Sequence, residues 1–460
     1  MVTWVYLITL LALILFGYWL GQRRAFRVSG GRPVNLHSLP SYHGLYVALW
    51  AGLPSAALAV AWVVLEPHFA EWAMLQQLPP EQRNQSGEDL QFLIIAIKKV
   101  AAGYEVIREV TPAMERAAAA YTRVQEMGQT IALAASLGLA ATGLAVGQRF
   151  VSTRLPARNR VERVITGVMV VAATLAILTT AGIVLSLIFE AVRFFSMVSP
   201  VEFFTALSWN PQTAIREGQV AADGSFGFVP LFAGTMLITL VAMLVAAPVG
   251  LFSAVYLSDY APKRMRALVK PIMEVLAGVP TVVYGFFAAL TVAPLVRDTA
   301  ADIGLTASSE SALAAGLVMG IMIIPFVSSL SDDVMNAVPQ ALRDGAYAMG
   351  ATQAETIKQV VFPAALPGIV GALLLAVSRA IGETMIVVMA AGLAAKLTAN
   401  PLNAVTTVTV QIVALLTGDQ AFDSPKTLSA FALGITLFGV TLLLNVIALN
   451  VVRRYRDKYE

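Results

Sequence analysis

Nine apolar runs long enough to cross a bilayer constrain this chain more than any motif in it. They lie near 2–20, 43–65, 130–147, 164–189, 229–257, 272–296, 311–330, 367–393 and 429–452, and about 20 apolar residues in helical form suffice to span the hydrocarbon core. Charged residues make up 13% of the 460, about half the share usual in soluble domains. A mean hydropathy of +0.74 does not describe a soluble globule. The expected fold is therefore all-α and polytopic. The first run begins at the initiator Met with no basic residue ahead of it and no A-x-A site behind, so it reads as a retained span and not as a cleaved signal peptide.

Lys and Arg orient the chain. Segments 21–42, 148–163, 258–271, 331–366 and 453–460 hold 19 basic residues, against five in 190–228, 297–310 and 394–428. The first set is expected to be cytoplasmic. That places the C-terminus inside and, with nine spans, the N-terminus outside. A sequence pI near 9 then reflects loops facing an anionic lipid surface, with no nucleic acid implied.

Several chemistries are excluded. There is no cysteine, hence no disulfide framework or thiolate metal site. His37, His43 and His68 match no ligand spacing. None of the eight lysines follows a glycine, so the Gly-Lys pair of a P-loop is missing. If ATP drives this chain, another subunit hydrolyses it.

The last six runs form one unit, with a domain expected over 151–460. Residues 1–150 form an N-terminal region of three spans. Between its second and third spans lies an external segment, 66–129, whose residues 88–128 have helical composition and mixed charge (Lys98, Lys99, Glu105, Arg108, Glu109, Glu115, Arg116, Arg123). It reads either as a solvated helical hairpin or as a docking site for an external partner. Pro112 interrupts or starts a helix there. In the core, Pro248, Pro280 and Pro325 fall at mid-depth in their runs. Such breaks serve either a transport path or ordinary packing.

Two stretches carry the functional argument. The segment Leu342-Arg343-Asp344-Gly345-Ala346-Tyr347-Ala348-Met349-Gly350, followed by Val360-Val361-Phe362-Pro363, predicts a short helix, a glycine turn and a second short helix. Its small side chains allow another protein surface to approach the backbone. The second stretch is Ser378-Arg379-Ala380-Ile381-Gly382-Glu383-Thr384, in the 367–393 run. Arg379 and Glu383 are four apart and are expected on one helix face, ion-paired and turned toward the bundle interior. A central membrane arginine costs at least about 2.5–3.5 kcal/mol, and a guanidinium fork suits tetrahedral oxyanions. The pair is either an anion waypoint or a packing device.

The first stretch resembles the EAA coupling loop of ABC-importer permeases: Asp344, Gly345 and Ala346 fill the E-A-A places, Gly350 the glycine, and Val360, Phe362 and Pro363 the I-x-L-P end. Arg-Ala-Ile-Gly-Glu-Thr-Met at 379–385 resembles the corresponding stretch of phosphate-transport permeases of the PstC type. The same holds for Ser208-Trp209-Asn210-Pro211, Phe226-Gly227-Phe228-Val229-Pro230, Tyr256-Leu257-Ser258-Asp259-Tyr260-Ala261-Pro262 and Ala277-Gly278-Val279-Pro280-Thr281-Val282-Val283-Tyr284-Gly285. The sister permease type, PstA, usually continues Gly-Glu-Thr with Ala-Pro-Leu, whereas Met385-Ile386-Val387 follows here. The likeness covers about 164–455; shorter members lack the first three spans.

The resemblance implies a six-helix ABC-importer permease core plus about three extra N-terminal transmembrane helices, in a bacterial inner membrane. It implies a non-catalytic subunit with no cofactor of its own, ATP and Mg being bound by a partner. Expected partners are a PstA-like permease, a PstB-like ATPase dimer on the coupling loop at about 331–366, and an external phosphate-binding protein. Phosphate would pass by Arg379, Glu383 and Thr384. Two competitors stay open: the same machine for sulfate, molybdate or phosphonate, and an ion-coupled secondary transporter.

Overall fold

The computed structural model describes residues 2–83, 88–104, 110–211, 224–417 and 423–456. Glu105, Arg108 and Glu109 of the external segment, and 457–460 of the C-terminal basic segment, lie outside them. Among the described residues, nine helices are long and apolar enough to cross a membrane: Tyr6–Val28, Pro40–Leu75, Pro112–Phe150, Ala157–Met197, Val229–Tyr260, Thr281–Asp302, Ala312–Asn336, Gln353–Ile381 and Pro425–Val452. The chain divides into two compact units, Met1–Ile177 and Leu178–Glu460, within the helix Ala157–Met197.

In the first unit, Pro40–Leu75 packs against both Val2–Val28 and Pro112–Phe150. Lipid gives apolar helices no hydrophobic reason to associate, so close backbone approach and buried polar bonds must do so. Both are present. A Cβ on Gly143 would collide with the Trp50 carbonyl oxygen, and one on Gly44 would lie 2.7 Å from that of Tyr18. The Tyr6 hydroxyl bonds Ser136 Oγ at 2.7 Å, and Ser136 donates to the Ser55 carbonyl at 2.8 Å, which joins all three helices through buried groups.

The external segment differs from a free hairpin. Pro40–Leu75 and Pro112–Phe150 have 36 and 39 residues, which is over 50 Å each at about 1.5 Å per residue, so both run past the bilayer. The helix Glu88–Ala101 packs on these extensions through Leu93, Ala96 and Ile97, against Met74, Leu78, Met114 and Ala117. Lys98 pairs with Glu71 at 2.6 Å. Pro112 starts its helix, where its missing N–H is not needed, and Thr111 Oγ1 accepts from Met114 N–H.

The second unit is built round Ala312–Asn336, the most buried span. It lies closely on Val229–Val255: a Cβ on Gly320 would sit 2.9 Å from the Ala242 carbonyl oxygen, and one on Gly250 2.8 Å from Val327 Cβ. Ile238, Ala242, Val318, Met319, Met322 and Ile323 fill the core between them. Pro248 and Pro325 sit inside continuous helices. An aromatic cluster of Phe194, Phe203, Trp209, Phe226 and Phe228 surrounds an antiparallel pair, Trp209–Asn210 with Ser225–Phe226.

Two expected spans are redrawn. The run at 272–296 is split at Gly278–Pro280: the helix Lys263–Ala277 precedes the break and has no buried residue, and the span begins at Thr281. Pro280 lacks an N–H and disfavours helix at Val279, which ends the first helix. The run at 367–393 is replaced by a helix over Gln353–Ile381 that stops at Gly382.

Gly143→Ala should lower the thermal midpoint of the purified protein by the equivalent of about 1–3 kcal/mol through overpacking. Gly138→Ala, whose Cβ meets nothing within 4 Å, should leave it within about 0.5 kcal/mol. Equal effects of the two would refute close packing at Gly143.

Candidate translocation and coupling sites

The Arg379–Glu383 stretch is not one helical turn. Phe362–Ile381 ends with Gly382 as its cap, and a second short helix begins at Met385. Arg379 therefore stands in the last turn of its helix and not at mid-helix. The expected pair does not form. Glu383 Oε1 instead accepts from the N–H groups of Met385, at 3.1 Å, and Ile386, at 3.5 Å. These are the unpaired donors of a helix start, which a carboxylate satisfies by hydrogen bonds and charge together. The Glu383 carbonyl accepts from Thr409 Oγ1 at 2.8 Å, and Thr409 Oγ1 lies 3.0 Å from Thr407 Oγ1. Thr384 Oγ1 contacts the Gly382 carbonyl at 3.5 Å.

Arg379 is left in a different state. Its side chain is exposed, with the guanidinium carbon 5.7 Å from the centre of the Phe326 ring. Among the described residues no hydrogen bond or ion pair engages its donors. The break thus holds a carboxylate engaged through one oxygen and a guanidinium whose fork is open.

The coupling segment adopts the expected helix and turn. Gln340–Ala348 ends at Met349, and Gly350 takes φ +88°, a left-handed turn that favours glycine. Thr352 and Glu355 then form a reciprocal capping box. The second helix is not short: through a widened π turn at Ile357–Val361 it continues into Phe362–Ile381. Asp344 and Gly345 are exposed, Ala346 is half-exposed, and Met349 is 89% exposed. Val360, Phe362 and Pro363 are half-buried, while Ile357 and Val361 pack on Met335 and Val338.

Two buried polar centres lie beneath this surface, and neither was expected. Arg343 pairs with Asp259 and donates to the Met335 carbonyl at 2.9 Å. Gln353 Nε2 donates to the Asp259 carbonyl at 2.6 Å. At the second centre, Asp332, with a side chain only 2% exposed, receives Arg266 at 2.9 Å and Lys270 at 3.0 Å. Asn336 Nδ2 donates to it as well, at 2.8 Å. The Lys270 pKa is raised by its hydrogen bond to Asp333, against the lowering effect of burial, and Asp332 adds to the rise. The adjacent acids at 332–333 and the basic pair four apart at 266 and 270 were the available signals in the sequence; Asp259 and Arg343, 84 positions apart, gave none.

Among the described residues, nine helices fit to cross a membrane, one of them ending beside a free arginine, define a polytopic membrane protein. A family model for the binding-protein-dependent transport system inner membrane component matches residues 246–457, and one for a phosphate ATP-binding cassette transporter matches 7–179. The probable ABC transporter permease protein YqgH of Bacillus subtilis is 33% identical over 246 residues, 54% of this chain and 75% of that protein. The phosphate transport system permease protein PstC 1 of Mycobacterium tuberculosis is 34% identical over 281 residues, 55% of this chain and 82% of that protein. PstC of Mesorhizobium japonicum is 32% identical over 267 residues, covering 55% and 78%. A chain of a solved bacterial alginate ABC transporter is more distant, at 16% identity and a TM-score of 0.43 over 65% of this chain and 98% of that one. The chain belongs to the PstC family of ABC-importer permeases.

Removing one partner of a buried ion pair strands the other charge, at a cost of about 3–5 kcal/mol, whereas apolar replacement of both is often near neutral. Asp259→Leu alone should therefore lower the thermal midpoint strongly, and Asp259→Leu with Arg343→Met should recover most of the loss. An additive double variant would show that the pair is not coupled.

Proposed function

We propose that this chain is the transmembrane permease subunit of an ATP-driven importer of inorganic phosphate, and that Arg379 is the residue its substrate meets. The family relationship supports phosphate as cargo. The observation that carries the site is the unengaged guanidinium at the broken end of the Gln353–Ile381 helix. A planar fork of donors binds a tetrahedral oxyanion well. Glu383 keeps its charge but turns Oε1 to the donors of the next helix start, whose dipole offsets part of it. Glu383 and Thr384 act by holding the break open; Thr384 also offers a hydroxyl at its edge. The chain performs no covalent chemistry.

In this reading, coupling runs through 340–363. The exposed Asp344, Gly345, Ala346 and Gly350 face seats an ATPase of the PstB type, two copies of which bind ATP and Mg on the cytoplasmic side. Motion at that seat passes directly into the span, because the helix after Gly350 is continuous with Phe362–Ile381. Val360, Phe362 and Pro363 lie where the coupling helix becomes the span. The Arg343–Asp259 and Gln353–Asp259 links carry the same motion to the Val229–Tyr260 span. A PstA-like permease would complete the pathway, and an external binding protein would deliver phosphate by alternating access. The distribution of Lys and Arg supports a C-terminus inside the cell and an N-terminus outside, in a bacterial inner membrane.

In cells lacking the chain, the wild type should restore uptake of labelled phosphate but not of sulfate. Arg379→Gln should abolish that uptake while the complex still co-purifies. Rescue of sulfate alone would point to the other oxyanion machine, and loss of assembly in Arg379→Gln would assign the residue to packing. Met349→Asp places a charge on the most exposed apolar residue of the turn. It should reduce ATPase co-purification at least about tenfold without moving the thermal midpoint; unchanged co-purification would remove this surface from the coupling seat.

A further inference from the structure

The first unit contains a cavity of about 500 Å³ lined by Tyr46, Leu49, Trp50, Leu53, Pro54, Arg160, Arg163 and Val164. Nothing in phosphate import requires it. Its chemistry is divided along its length. Arg160 and Arg163, three apart at the start of Ala157–Met197, put two guanidinium groups on one side of the helix. Leu49, Leu53 and Pro54, a turn or two further along Pro40–Leu75, supply an apolar wall with Val164.

The basic end is set in place. Arg160 donates to the buried Tyr46 hydroxyl at 3.1 Å, and its guanidinium carbon lies 5.8 Å from the centre of that ring. One bond leaves most of its donors unused. Among the described residues, Arg163 has no hydrogen bond or ion pair. Glu162, the carboxylate between them in sequence, is engaged by Arg158 at 2.6 Å. Trp50 stands at the change from charged to apolar, edge-on to Tyr46 and stacked on Phe150. Aromatic rings of this kind mark the headgroup level of a bilayer.

Two cations above an apolar wall, one with donors to spare and one without a partner among the described residues, suit a molecule with an anionic head and an aliphatic tail. We propose that this cavity is a binding site for one anionic phospholipid, its phosphodiester held by Arg160 and Arg163 and an acyl chain lying on Leu49, Leu53 and Val164. Basic pockets beside transmembrane helices recognise anionic headgroups by the same charge argument. A free oxyanion would use the arginines but not the wall.

The test is native mass spectrometry of the detergent-solubilised full chain, with phosphatidylglycerol or phosphatidylcholine of identical acyl chains added. The wild type should retain one phosphatidylglycerol in preference to phosphatidylcholine. Arg163→Gln, which breaks no internal bond, should weaken that retention about tenfold. Leu53→Trp should weaken it as well, by filling the tail site with both arginines intact. Arg154→Gln, outside the cavity, should change nothing, and inorganic phosphate at millimolar concentration should not displace the lipid. Equal retention of both lipids, or full retention by Arg163→Gln, overturns the proposal. Displacement by phosphate together with indifference to Leu53→Trp would make this a small-anion site instead.

Discussion

Inside a bilayer every backbone N–H and C=O must find its partner in the protein, and interrupting a span is costly unless something replaces the lost bonds. At Gly382–Thr384 the replacement is the Glu383 carboxylate, which takes two of the free donors of the following helix. This contact decides the electrostatics of the site. A carboxylate turned toward Arg379 would have formed a neutral pair, and the next helix start would have gone without its cap. Turned the other way, it stabilises the break and leaves the guanidinium open. Thr409 adds a bond to the Glu383 backbone, so the break is held from outside as well as from within.

The buried charges of the second unit follow a related rule. Asp332 and Asp259 are nearly inaccessible; Asp332 is bonded twice from the helix Lys263–Ala277, and Asp259 is reached from both sides of the Gly350 turn. Burying such charges contributes little net stability, but it fixes geometry, because any sliding of the helices strands a charge. Arg343 and Gln353 stand on either side of the Gly350 turn, and both reach the same residue, Asp259. The two arms of the turn are thereby tied to the Val229–Tyr260 span, which in the proposed reading lets a push on the exposed surface be carried inward.

The spans and the coupling turn were legible in the sequence because their signals are local. Long apolar runs mark helices, and Gly350 marks a left-handed turn where φ is indeed positive. The break at 382–384 was not legible. It occupies three residues between Ile381 and Met385, and apolar patterning continues on both sides, so hydropathy averages across it. The start of that span was missed for the opposite reason: Gln353, Glu355, Lys358 and Gln359 are polar yet helical, and they depress hydropathy over turns that belong to the same helix. The Asp259–Arg343 bond joins distant positions and has no local pattern at all.

The charges then sort by what engages them. In the second unit Asp332, Asp259, Arg343 and Glu383 are each consumed by a defined bond, and each bond secures a helix end or a helix crossing. Arg379 secures nothing comparable: a ring centre 5.7 Å away contributes only a weak cation–π attraction. Where those groups each secure a helix end or crossing, the exposed guanidinium beside the break has no hydrogen bond or ion pair of its own among the described residues. In the reading proposed above, this exposed guanidinium gains its hydrogen bonds only when an anion arrives, and a contact made only with cargo present suits a site that would have to both hold and release phosphate.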